Sequence, residues 1–487
     1  MGQPDDERFA ALRATIPARL LEHRLPSLAI AVARGGSIIW EDAFGWADRE
    51  RRLEATPHTM YSLASISKPI TATALMVLVE RGAIDLDRPI DDYLGAAKLT
   101  AHVGDAREAT VRRVANHTAG LPLHYQFFYA DEPARRPPMD ETIRRYGHLV
   151  TAPGERFQYA NLGFGLLDYI ISRAAHTPYA DFMRREVFLP LGMTRASVDI
   201  EPGLAPFTAA RYGTDGVPYP FYDFDHPGGS AVFCSAHDLV RFGIFHLKAH
   251  LADQHPILPD AAIDAMQQRT TPEGGSGYGV GWFIEDNEYG YRVISHGGGM
   301  GGVATLLTLV PSEQVVVVTL ANASSPLPFE VAAEILDALL PHYAERRAQQ
   351  KAAQPEQPEQ PAPFAPPPEL LGSWRGSVLR DVDELPFRLT FQPDGDVHAR
   401  LGDQLATLVN DTAFADNRLS GELWGDLGTP DARRRPHHLR LDLTLRDDAL
   451  NGAVIAISDE PDGEGGAPGR RVGNALAAWA ELRREAD

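Results

Sequence analysis

The chain has 487 residues, 44% of them hydrophobic and 23% charged, with a formal net charge of −20. That length exceeds one ordinary core, at ~100–200 residues per domain, and argues for two or three folded units. The acidic balance argues against nucleic acid and anionic membranes as partners; no uncharged apolar stretch reaches the ~18 residues of a membrane span, and no basic-then-apolar leader opens the sequence, so the expected location is cytoplasmic.

In chain order, a polar amphipathic helix pattern runs to about Leu25. Leu28–Ala33, the turn Arg34-Gly35-Gly36 and Ser37–Trp40 then read as a hairpin. A helix is predicted from about Ser65, with Pro69 tolerated in its first turn and a stop at Gly82. Helix and loop signals fill the middle to about residue 270. Strands return at Tyr291–Ser295, Val303–Val310 and Val315–Leu320, the last two joined by a turn at Pro311-Ser312-Glu313-Gln314, and a helix follows from about Phe329 to Arg347. Strands at both ends with helices between them predict an α/β (α+β) fold. One antiparallel sheet is built from both ends of the unit and flanked by helices, with a helical subdomain inserted over about residues 85–275.

Seven prolines between residues 349 and 368 predict an extended linker. Beyond it, Phe387–Phe391 and Leu439–Leu445 alternate apolar and polar residues, so a small antiparallel β domain or barrel is expected, with Ala475–Arg484 as a closing helix. The expected units are therefore 1–348, the linker 349–368, and 369–487. Cys234 is the only cysteine, which rules out an intrachain disulfide and a Cys-rich metal site; its apolar neighbours predict a buried, inert thiol. No His-Glu-x-x-His cluster is present, so no metal is expected, and the acidic, glycine-rich stretch Asp459–Gly469 lacks regular calcium-loop spacing.

Among 46 lysine and arginine residues only four are lysine, and one of these, Lys68, stands three residues after Ser65. Arginine stays protonated at any pH a protein survives, whereas a desolvated lysine amine can become neutral and take a proton from a serine hydroxyl. Positions three apart share a helix face, so the two groups can meet. Alone, Ser-x-x-Lys is a weak pattern that also suits an N-cap serine beside a solvated lysine. A second element is Tyr159-Ala160-Asn161, in a loop before the apolar run Leu162–Leu167. A phenol that loses its proton beside a lysine ammonium could relay protons there, and the asparagine amide could hold the lysine and a substrate; an aromatic core residue before a helix cap fits the same residues. The third is His296-Gly297-Gly298-Gly299, directly after the strand Tyr291–Ser295, where glycines allow close backbone approach and expose N–H groups suited to an oxyanion. A glycine-rich turn with a structural histidine is the competing reading.

Together the three elements resemble the serine β-lactamase and penicillin-binding protein superfamily, in its class C-like branch of D-aminopeptidases, DD-peptidases and family VIII esterases. Thr56-Pro57, Asn116–Pro122, Pro227-Gly228-Gly229-Ser230 and Tyr278–Trp282 add to the likeness, which spans about residues 25 to 345. The C-terminal unit is only loosely similar to the lipocalin-like barrels appended to some members. The resemblance implies Ser65 as the acylated nucleophile, Lys68 and Tyr159 as a coupled proton-transfer pair with Tyr159 also activating the deacylating water, and Asn161 as the amide that orients Lys68 and the substrate. It also implies the N–H groups of Ser65 and Gly299 as oxyanion donors, and His296 beside the substrate's far end. Histidine at position 296, where antibiotic hydrolases and DD-peptidases usually carry lysine, is more similar to the D-aminopeptidases and esterases. The implied activity is a serine hydrolase, free of metal and cofactor, that acts through an acyl-enzyme on an ester or on an amide or peptide bond of a small molecule or short peptide. A β-lactamase or DD-peptidase, an acyltransferase of the same group, and a catalytically silent scaffold are the alternatives, with a homo-oligomer left open.

Overall fold

A computed structural model describes residues 7–272, 277–353, 363–458 and 473–485. The valine run near residue 315 pairs with the first apolar run of the chain, Leu28 lying opposite Ala321 and Arg34 opposite Val315. This pairing joins the two ends of the catalytic unit into one antiparallel sheet of β1 (Ser27–Arg34), β2 (Ser37–Asp48), β3 (Leu53–Glu54), β4 (Phe283–Glu288), β5 (Tyr291–Met300), β6 (Val303–Val310) and β7 (Val315–Ala321). The strand order is β4-β5-β6-β7-β1-β2-β3. The helices that matter for the site are α1 (Ala10–Glu22), α2 (Ser67–Glu80), α3 (Asn161–Ala175), α4 (Pro227–Ser230), α5 (Ala236–His246), α6 (Leu327–Leu339) and α7 (Tyr343–Ala353).

Alternation along β1 sorts the two faces of the sheet. Leu28, Ile30 and Val32 pack with α1 and α6, while Ala29, Ala31 and Ala33 pack with α2 and α5. Both faces are therefore buried, which is why β1 and β7 read as continuous apolar runs. The thiol of Cys234 is buried in the larger core, and burial pushes its pKa up.

Several elements depart from the sequence expectation. β5 does not stop at Ser295 but continues through the glycines to Met300, paired with β6 so that Gly299 lies opposite Ala304. The last helix of the unit, α7, runs to Ala353, five residues into the stretch expected as linker, because its prolines begin only at Pro355. Ala475–Arg484 is a strand, not a helix. Its alanines, leucines and glutamate favour a helix, but the segment lies between Gly372–Leu379 and Ala449–Ile457 with both faces covered. Leu476, Ala480 and Leu482 point into the C-terminal core, while Ala475, Ala477 and Trp479 point at the catalytic unit. A doubly buried strand shows no polar alternation, so periodicity cannot tell it from a helix. The acidic stretch Asp459–Gly469 lies outside the described residues.

The C-terminal sheet has nine antiparallel strands over residues 372–484. Its two edge strands, Thr407–Leu408 and Asn410–Ala415, are separated in sequence by Val409 alone. One sheet whose edges are neighbours in the chain must curl back on itself, which makes it a nearly closed barrel. Trp374, Phe387, Leu389, Phe391, Leu441 and Val454 are among the side chains that fill its interior.

This barrel packs against the catalytic unit. Tyr125 and Ala475 exchange backbone hydrogen bonds of 3.0 and 2.9 Å, and the Asn474 Oδ1 accepts from the Phe127 N–H at 2.9 Å. His102 stacks on Trp479 with ring centroids 4.5 Å apart, and Tyr146 donates its hydroxyl to Asp431 at 2.6 Å.

Candidate active site

Ser65 sits in a single 3₁₀ turn, Ala64–Ile66, that leads directly into α2. The turn holds Ala64 at φ +47°, a left-handed conformation that costs a non-glycine residue about 1–2 kcal/mol. Contacts from β5 and β6 hold it there: the Thr305 hydroxyl donates to the Leu63 carbonyl at 3.0 Å, and a Cβ at Gly298 would lie 2.1 Å from that same oxygen. Only glycine lets β5 come this close to the Ser65 turn. One residue on, Gly299 faces open space and lines the same cleft as Ser65.

Lys68, on the first turn of α2, is fully buried. Its Nζ lies 3.0 Å from the Ser65 Oγ, 2.8 Å from the Asn161 Oδ1 and 3.1 Å from the Gly229 carbonyl oxygen. Asn161 is the first residue of α3, and Gly229 belongs to α4. No carboxylate pairs with this amine among the described residues, so burial drives its pKa well below the usual lysine range. A neutral amine has two N–H donors and one lone pair. The amide oxygen of Asn161 and the carbonyl of Gly229 can only accept, so they take the two hydrogens and leave the lone pair for the Ser65 hydroxyl.

Tyr159 keeps part of its ring open to the cleft, and the Lys68 Nζ lies 4.8 Å from the ring centroid. Burial around its hydroxyl raises the pKa, opposed by a hydrogen bond with Ser65. Burial thus favours the uncharged phenol over a phenolate and the uncharged amine over an ammonium.

His296 is placed differently from the expectation. It is buried on β5, its Nδ1 lies 2.7 Å from the Gly297 carbonyl oxygen and its Nε2 3.0 Å from the Tyr278 hydroxyl. The carbonyl can only accept, so Nδ1 carries the proton and Nε2 accepts from Tyr278. Burial, then the nearby Lys68, pushes its pKa down to about 3. A neutral imidazole with both nitrogens engaged offers no charge to a substrate's far end; instead it fixes Tyr278 behind Tyr159.

The structure adds groups that sequence reasoning passed over. His117, noted only inside the run Asn116–Pro122, stacks on Tyr159 at 4.3 Å between centroids and accepts the Ala160 N–H at 3.1 Å, so it fixes the loop that presents the phenol. Asp168 accepts the Gly228 N–H at 2.6 Å, and burial pushes its carboxyl up to about 8, so it supports α4 as a neutral acid. The cleft itself, about 210 Å³, is walled by Tyr125, Phe127 and Met300 opposite Ser65, and by His226. Tyr125 and Phe127 carried no signal because the partner that holds them, Asn474-Ala475, is nearly 350 positions away.

An antiparallel sheet with α2 under a half-buried serine bonded to a buried lysine defines a serine β-lactamase and penicillin-binding protein-like chain. It belongs to the Beta-lactamase family, whose model matches residues 7–341. The chain is 25% identical over 328 residues to penicillin-binding protein 4* of Bacillus subtilis, covering 62% of this chain and 69% of that one. It is 29% identical over 411 residues to penicillin-binding protein 4 of Amycolatopsis lactamdurans, covering 80% and 97%. Among solved structures, the octameric penicillin-binding protein homologue from Pyrococcus abyssi matches with a TM-score of 0.59 at 21% identity, over 97% of this chain and 99% of that one, so the shared fold includes the C-terminal sheet. No helix among the described residues is long and apolar enough to cross a membrane.

Proposed function

We propose that this chain is a serine hydrolase that forms an acyl-enzyme at Ser65 from a small ester, or from the amide of a D-amino acid or short peptide. One observation carries the reading: a fully buried amine, its pKa pushed down by burial, 3.0 Å from the serine oxygen. As the Ser65 Oγ attacks the carbonyl carbon, Lys68 takes the hydroxyl proton. The Ser65 and Gly299 N–H groups receive the developing oxyanion. Tyr159 passes the proton to the departing alcohol or amine. Hydrolysis or transfer to another acceptor differs only in what enters second.

The cleft's size and its aromatic wall support a compact apolar acyl group. The neutral His296, with both nitrogens engaged, supports an ester or aminopeptidase-type substrate over the carboxylate-bearing β-lactams and cell-wall peptides. We also propose that the C-terminal barrel, bonded to residues 125 and 127, sets the shape of the entrance. The test is turnover of p-nitrophenyl acetate and butyrate, D-alanine anilide and nitrocefin by wild type and Ser65→Ala. Ester or anilide turnover that vanishes in Ser65→Ala is the expected result. No turnover together with no phosphonate adduct on wild type would leave the silent-scaffold alternative standing.

A further inference from the structure

Three buried side chains that the acylation steps do not use form one network at the edge of the cleft. Asp225 receives His226 Nδ1 on its Oδ1 at 2.6 Å and His124 Nε2 on its Oδ2 at 2.6 Å, and the Gln126 N–H adds a third bond at 3.2 Å. All three side chains are enclosed, with Asp225 and His226 each 1% exposed. Burial alone would raise the carboxyl pKa, but the two histidines outweigh it and hold Asp225 ionised. A carboxylate can only accept, so His226 carries its proton on Nδ1, and its Nε2 is a bare lone pair.

The ring belongs to the wall of the reaction chamber. His226 lines the same cavity as Ser65 and Tyr159. The residue stands directly before α4, the turn whose Gly229 carbonyl holds Lys68, and its Cδ2, the atom next to Nε2, comes within 3.1 Å of where a Cβ on Gly229 would stand. A buried carboxylate that orients an imidazole in the wall of the chamber that holds Ser65 is the arrangement of a general base held in one tautomer.

We propose that His226 is the general base for the acyl acceptor, oriented by Asp225. This rests on the acyl-enzyme reading of Ser65. The acceptor is a neutral O–H or N–H compound: water, a small alcohol or an amine. As its oxygen or nitrogen bonds to the acyl carbon, its proton passes to the His226 Nε2. Collapse of the tetrahedral adduct breaks the bond to the Ser65 Oγ, which takes a proton from the Tyr159 hydroxyl; the proton on His226 then returns through water to the phenolate, and the enzyme is restored. His124 completes the second half of the Asp225 carboxylate and holds it in place.

The experiment separates the two half-reactions in the full-length protein. p-Nitrophenol release at excess enzyme gives acylation, and intact-mass decay of the acyl adduct gives deacylation, both with and without added small alcohols or amines. His226→Gln and His226→Ala are compared with wild type, and folding is checked by thermal melting. The expected result is a deacylation rate reduced ~10²–10⁴-fold, the range of general-base catalysis, with acylation reduced far less. The acyl adduct accumulates, and added imidazole restores deacylation in His226→Ala but not in His226→Gln. Equal losses in both half-reactions, or unchanged deacylation in a folded variant, overturn the proposal and leave the network as structural support. If wild-type Ser65 takes no label from a serine-reactive phosphonate, the acyl-enzyme reading itself falls, and His226 with it; normal labelling with unaltered deacylation removes His226 alone.

Discussion

The cleft has two walls of different origin. One wall, Ser65 and Asn161 with Tyr159 beside them and Lys68 buried behind, comes from the turn that leads into α2 and from the start of α3, and its geometry is fixed by backbone spacing and a few hydrogen bonds. The other, Tyr125 and Phe127, comes from a loop whose backbone is tied to Asn474 and Ala475 of the barrel. On the proposed function, the first wall holds the groups that form the acyl-enzyme. The second is aromatic and is tied to the C-terminal sheet, so that reading assigns acylation and the choice of substrate to separate parts of the chain.

The largest effect separates function from stability on the first wall. Lys68→Met removes the base and is expected to lower acylation by at least about 10³-fold. The same change should raise the melting temperature at pH 7. The folded-state pKa of Lys68 lies well below its unfolded value, so the unfolded chain binds the extra proton and the buried amine costs stability at neutral pH; in wild type that cost fades as pH rises toward the ordinary lysine range. Acylation in wild type should fall as pH drops through the depressed Lys68 pKa. A Lys68→Met protein that acylates at the wild-type rate, or wild-type acylation that stays flat with pH, would contradict the neutral-amine account.

The second wall predicts a change of preference. Asn474→Ala leaves the buried Phe127 N–H without its acceptor, at a cost of about 1–3 kcal/mol. Its KM for butyryl and longer esters should rise severalfold while acetyl ester turnover changes little. Parallel loss on all esters would mean that the barrel supports the whole fold and does not select substrates. Phe127→Ala should widen the range of accepted acyl chains, read as a flatter series of kcat/KM from acetate to hexanoate.

The smallest effect is expected at Asp168→Asn. The carboxyl, pushed up to about 8, is neutral in the fold at pH 7 but ionised in the unfolded chain, so an amide that keeps the Gly228 bond should leave activity unchanged and should not lower the melting temperature. Because the folded pKa lies above the unfolded one, the wild type should lose stability as pH rises from about 4 to about 8, and the variant should not. Equal pH dependence of the two melting curves would show Asp168 to be ionised.

The same division explains what the sequence reveals. Rarity and spacing pointed to Lys68, because a helix fixes the relation of residues three apart. β1, β6 and β7 were legible as apolar runs. Strand Ala475–Arg484 was not, since burial on both faces erases alternation and its residues favour a helix. His296 was legible as a residue of interest but not in its role, because its two partners, the Tyr278 hydroxyl and the Gly297 carbonyl, depend on how β5 continues through the glycines. Asp225-His226 carried no motif at all; the network becomes visible only when residue 124 is brought to it.

Four lysines in the entire chain make the central claim directly measurable. Side-chain ¹³Cε labelling of lysine should give four signals, assigned by Lys68→Met. The account predicts that one of them, Lys68, has the shift of a free amine at pH 7 and titrates well below the other three. If all four titrate together near the ordinary lysine value of about 10.4, the buried amine is a cation and Ser65 has no base beside it.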